Sequence, residues 1–141
     1  MKVFLDRVNK DVHFSIRNED GNNVEVDGSP EMGGAGLGVR PTELLLMGAA
    51  SCSAIDVIAI LRKMKQPLED IQVAVDGDKQ QEIPKVFVKI HMHYTLTGDL
   101  KKEKVARAIE LSVTKYCTVS RMLDKTAEIT TSFEIIPSAN T

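Results

Sequence analysis

The chemistry this 141-residue chain can offer begins with two cysteines, Cys52 and Cys117. They stand 65 residues apart, so they form no C-x-x-C motif. Cys52 sits among Gly48, Ala49, Ala50, Ser51, Ser53 and Ala54, and these small side chains carve space around the sulfur. That is the setting of a thiol meant to be approached. The alternative is a pair of inert core cysteines, since free cysteine is among the most buried residue types. A reactive thiol needs its pKa lowered by a cation or by a helix N-terminus.

Cys52 lies well inside the apolar run that opens at Pro41, so a helix dipole felt mainly in the first turn does little for it. A cation is required, and Arg7, Arg17 and Arg40 are the candidates in the first third. Asp56 lies one helical turn after Cys52, on the same face. Alone it would repel a thiolate. Paired with an arginine it would hold that cation over the sulfur, with Arg40 the first choice and Arg17, from either subunit, the second. The competing role for Asp56 is a cap on a buried backbone group. Glu43 is nine residues before Cys52 and points to the opposite side of a helix. His91 and His93 share one strand face and raise a zinc alternative with the cysteines. That face also carries Lys85 and Lys89, the mark of a solvated surface, and no metal is expected.

These residues must be positioned by a small set of elements. Val12, Phe14 and Ile16 alternate with polar neighbours as in a half-buried strand. Glu19–Asn23 reads as a hairpin turn and Val24–Val26 as its return strand. Gly28–Gly38 is a glycine-rich loop that matches neither the dinucleotide fingerprint nor a phosphate loop, and it reads as a flexible connector. Pro41 suits the first turn of a helix that runs to about Lys65, where Gln66-Pro67 stops it. Strands are predicted over Ile71–Val75, Lys85–Thr97 and Ala127–Ile135. Between the last two, a helix capped by Asp99 carries the stripe Val105, Ala108, Ile109, Ser112, Val113 and Tyr116, with Cys117 at its border.

The order is an α+β pattern, antiparallel sheets packed around a long central buried helix, in one domain over residues 1–141. The central helix is apolar on nearly every side, and a second subunit is the simplest cover for it. A net charge of −2 and the absence of tryptophan argue against nucleic acid. Leu44–Leu61 approaches the length of a membrane span, but Asp56 and its small polar residues argue against one. The charged start Met1–Arg7 has no signal-peptide core, which points to the cytoplasm, where thiols stay reduced unless catalytic or sensing.

The helix LLLMGAASCSAIDVIAIL, the later KYCTVSRML and the strand–helix order around them resemble the osmotically inducible protein C (OsmC) and organic hydroperoxide resistance (Ohr) family. The resemblance covers nearly the whole chain and is closest to the small OsmC-like branch with CSAIDV. It implies an intertwined homodimer with the two long helices at its centre. It also implies that Cys52 is peroxidatic and Cys117 resolving, with reduction by a dithiol such as a lipoyl group and no bound cofactor. The expected activity is a cytoplasmic thiol peroxidase acting on organic hydroperoxides. The peroxidases of the family carry glutamate directly after the helix-opening proline, where this chain has Thr42, with Glu43 at the next position. Arg7 and Arg17 lie outside the family's usual Gly-Arg-Asp-Gly turn. The rival expectation is therefore a non-catalytic redox sensor or small-molecule binder on the same fold.

Overall fold

Three strands form an antiparallel meander at the start of the chain: β1 (Val3–Arg7), β2 (Phe14–Asn18) and β3 (Asn23–Val26). The alternation at Phe14–Arg17 and the turn after it therefore fold as the sequence predicts; β1 carries no comparable signal. The computed structural model describes residues 1–139. The chain divides into two compact units, residues 1–45 and residue 46 onward.

In the first unit the glycine-rich stretch is not a flexible connector. It wraps around Asp27, which is buried. One carboxylate oxygen accepts from Gly28 N–H at 2.8 Å, and the other from Ala35 and Leu37 N–H at 2.9 and 3.1 Å. Gly34 is needed because a Cβ there would lie 1.7 Å from Gly28 O, and Gly38 because one would lie 2.5 Å from the Glu25 backbone. The backbone donors Ala35 and Leu37, then Gly28 and nearby His13, hold the Asp27 carboxyl below the usual aspartate range. A depressed folded-state pKa adds stability above the unfolded value and loses it as pH falls through the folded one. Asp27→Asn is expected to flatten the loss of urea resistance below about pH 4 at fixed protein concentration. An unchanged acid limb in the variant would assign the sensitivity to another carboxylate.

The long helix α1 (Pro41–Lys63) starts where proline predicts. Glu43 reaches back to accept the Arg40 N–H at 2.8 Å, which with Pro41 at the first turn is a capping-box arrangement. Glu43 thus serves the helix start. Beyond α1, β4 (Leu68–Lys79), β5 (Phe87–Gly98) and β6 (Glu128–Ile136) form a second sheet in that order. β4 and β5 are antiparallel, but β5 and β6 are parallel, so this sheet is mixed. The crossover between them carries α2 (Lys102–Leu111), a single π turn at Ser112–Tyr116, and the short α3 (Thr118–Leu123).

The core of the second unit lies between this sheet and the helices. Ile90, Met92, Tyr94 and Leu96 of β5 meet Ala49, Val57 and Leu61 of α1 and Val105, Ala108 and Ile109 of α2. The predicted parity of β5 holds from Ile90 to Leu96. It fails at its start, where Phe87 is buried and Val88 exposed. The register slips between Asp78 and Lys79, and a one-residue slip exchanges the two faces. Asp99 does not cap α2. The extended residue at its N-cap position is Lys101, after Gly98 turns the chain at φ +145°.

Only one stripe of α1 is fully buried in the chain: Ala49, Ser53, Val57 and Leu61, at i, i+4 spacing. The opposite stripe, Met47, Ser51, Ile55 and Ala59, is exposed, with Ile55 67% accessible. Among the described residues α1 is also the one helix long and apolar enough to cross a membrane. Asp56 on one flank and the packing of the buried stripe against β5 give it a protein-core role.

Candidate functional site

Cys52 is half-buried on α1 and Cys117 is fully buried, and both are free thiols. Their sulfurs and a carboxylate oxygen of Asp56 all lie within 4.8 Å of one another. Cys52 and Asp56 share one flank of the helix, as the i, i+4 spacing requires.

Cys117 reaches this place by a route the periodicity of α2 does not show. The helix ends at Leu111, and Ser112–Tyr116 widens into a π turn, closed by Cys117 N–H donating to Ser112 O at 2.7 Å. Cys117 itself has extended dihedrals and caps α3, its sulfur accepting the Ser120 N–H at 3.4 Å. The widened turn also brings Tyr116 out to solvent rather than onto the buried stripe. Burial pushes the Cys117 thiol up, the Ser120 hydroxyl and N–H pull it down, and neighbouring Cys52 raises it again, with a net upward shift. The Ser120 hydroxyl is buried beside it.

A buried chain of hydroxyls leads to Asp56. Tyr94 Oη meets Ser53 Oγ at 2.5 Å, Ser53 Oγ meets Ser112 Oγ at 2.8 Å, and Ser112 Oγ donates to Asp56 Oδ2 at 3.3 Å. With an ionised carboxylate accepting at one end, each hydroxyl donates once if the chain runs from Tyr94 to Ser53 to Ser112 to Asp56. Burial pushes Tyr94 up to about 12, further raised by Cys117 and Asp56 against the lowering by Ser53, so it keeps its proton. Sequence reading missed Ser53, Ser112 and Tyr94 as site residues. The available signal was two serines at core positions of apolar helix stripes, each of which must find a partner.

The predicted arginines lie in the first unit. Arg17 pairs with Asp6 at 2.9 Å and stacks on Phe4, while Arg40 gives its backbone N–H to Glu43. Among the described residues of the second unit Asp56 has no ion pair; its partner is Ser112. The cation that lines a groove with Asp56 is Lys63. That groove, about 400 Å³, is also walled by Ile60, Met64, Leu111 and Tyr116. His91 and His93 engage Thr130, Ser132 and Glu134 across to β6, on the face away from the buried residues of β5.

Residues 33–132 match the family model for OsmC-like protein. The chain is 45% identical over 97 residues to Protein YhfA of Escherichia coli K12, covering 68% of this chain and 72% of that one. A hypothetical protein from Aquifex aeolicus has a similar structure at 28% identity and a TM-score of 0.84, covering 97% and 96% of the two chains. An organic hydroperoxide resistance protein OsmC from Legionella pneumophila shares the fold at 18% identity and a TM-score of 0.73, covering 95% and 97%.

Proposed function

The chain belongs to the OsmC-like protein family, and on that footing we propose that it is a thiol-dependent peroxidase reducing organic hydroperoxides in oxidative-stress defence. One observation carries the reading: an approachable cysteine faces a buried one across at most 4.8 Å, with no bond between them. Cys52 as thiolate attacks the distal peroxide oxygen. The O–O bond breaks, the alkoxide takes a proton and leaves as an alcohol, and Cys52 becomes a sulfenic acid. Cys117 then attacks the Cys52 sulfur, hydroxide leaves as water after protonation, and a disulfide closes. A dithiol of the lipoyl class restores both thiols.

The asymmetry of the two thiols supports these roles. Cys117 is sealed from solvent and held as the thiol, which suits a residue that acts second. The groove beside Asp56, one helical turn from Cys52, is walled mainly by apolar side chains, which supports an organic peroxide over hydrogen peroxide as the substrate. Asp56 is proposed to anchor an activating arginine, Arg40 or else Arg17. The same reading includes a homodimer that covers the exposed stripe of α1, and a reducing cytoplasmic setting.

Thr42 favours a second reading, a redox sensor or small-molecule binder without efficient turnover. Consumption of cumene hydroperoxide with dihydrolipoamide as reductant separates the two. Turnover well above that of the reductant alone, and faster than with hydrogen peroxide, is expected. Formation of one disulfide per protomer without turnover would favour the sensor.

A further inference from the structure

We infer that the reduced Cys52–Asp56–Cys117 cluster is also a binding site for a thiophilic divalent cation of the zinc class, held by two sulfurs and one carboxylate oxygen with a fourth position open. The donor atoms are already gathered within 4.8 Å of one another. On a tetrahedral zinc with Zn–S of about 2.3 Å and Zn–O of about 2.1 Å, donors stand roughly 3.5–3.8 Å apart. From the 4.8 Å limit the cluster therefore needs a contraction of at most about 1.3 Å to close on the ion.

The donors are held on rigid elements. Cys52 and Asp56 sit one turn apart on α1, the i, i+4 spacing by which helices present metal ligands in pairs. Cys117 is fixed from the other side, by its own N–H on Ser112 O and by its sulfur on Ser120 N–H. The carboxylate is oriented by Ser112, which the buried Ser53 and Tyr94 hold in turn. A hydrogen-bonded carboxylate ligand is what a metal site requires of its surroundings. Two sulfur donors select zinc-class ions over magnesium or calcium. Three protein donors leave room for a water or a small ligand, reached from the half-exposed side of Cys52 and Asp56.

Such an ion would hold both sulfurs and close Cys52 to electrophiles. Oxidation would release it. Both thiolates lose an electron in forming the disulfide, the peroxide is reduced to alcohol and water with two protons, and the cation leaves unchanged in charge. Binding itself is read at equilibrium on the reduced protein, so its test is independent of turnover.

Reduced full-length protein is titrated with Zn²⁺ against a chromophoric chelator, and with Co²⁺ followed by absorption. One ion per protomer is expected, with a thiolate-to-cobalt charge-transfer band and a tetrahedral visible spectrum. Cys52→Ser is expected to weaken Zn²⁺ binding at least about 100-fold, and Asp56→Asn at least about 10-fold. The disulfide form should bind none. Saturating Zn²⁺ should slow alkylation of Cys52 at least about tenfold, and the part of buried Cys117 is read from the cobalt charge-transfer intensity, which should match two thiolate ligands rather than one. Unchanged affinity in either Cys52→Ser or Asp56→Asn, an octahedral cobalt spectrum, or equal binding by the oxidised protein would overturn the site.

Discussion

Replacing Cys52 by serine is expected to remove hydroperoxide reduction altogether, a loss on the order of a thousandfold or more, because a serine hydroxyl at neutral pH is no substitute for a thiolate. Cys117→Ser should behave differently. Its first step, attack on the peroxide, should survive, so one equivalent of alcohol should form per protomer before the reaction stalls. Cys52 then persists as sulfenic acid, trapped by dimedone and detected by mass, or oxidises further under excess peroxide. The wild type should instead yield a Cys52–Cys117 disulfide by peptide mapping, consistent with sulfurs already within 4.8 Å. A Cys52→Ser protein that retains the burst while Cys117→Ser loses it would reverse the two roles. Such a reversal would also contradict burial, since Cys117 has no exposed surface.

Ile55→Asp is expected to dissociate the protein. Ile55 sits at the middle of the stripe Met47, Ser51, Ile55 and Ala59, on the side of α1 away from the core. In a two-fold dimer built on this helix each change appears twice in one interface. Losing an apolar side chain of this size costs about 1.5–3 kcal/mol per copy, before the cost of burying a carboxylate. The pair therefore weakens association by roughly 3–6 kcal/mol, some hundred- to ten-thousandfold in Kd. Sedimentation equilibrium should find wild-type dimer and variant monomer at micromolar concentration, with the variant more easily unfolded by urea. A wild type that sediments as a folded monomer, or an Ile55→Asp variant that stays dimeric, removes this helix face from the assembly. The first unit makes a similar demand for cover. Val3 and Leu5 of β1 are 68% and 56% accessible, and a three-stranded sheet with so little buried surface is weak by itself.

Legibility in the sequence followed the range of the interactions. α1 was readable because Pro41 and Pro67 mark its limits and the run between them is predominantly apolar. β5 was readable from Ile90 onward because burial on one face writes a period of two. The bulge that exchanges Phe87 and Val88 was not, as it depends on where β4 pairs. Nor was the parallel pairing of β5 with β6, since strand direction within a sheet is a property of the connection. Cys52 and Asp56 were paired by helical spacing alone. The meeting with Cys117 could be expected only loosely, because the π turn that delivers it has no residue signature in Ser112–Tyr116. Asp27 has no signal in the sequence, yet three backbone donors converge on it.

The π turn before Cys117 also sets the phase at which the chain leaves the helix. A π turn is an α-helical turn carrying one extra residue, and such turns recur at functional sites. The hydrogen bond from Cys117 N–H to Ser112 O spans five residues where a regular helix would span four. One codon therefore separates this arrangement from a chain in which α2 runs on undisturbed and the second cysteine leaves its helix about 100° out of phase. Such a shorter relative would keep both cysteines and the fold around them, and would present neither a disulfide partner nor a second sulfur to a metal. In this chain the length of the segment between Leu111 and Cys117 therefore decides where the second sulfur is delivered.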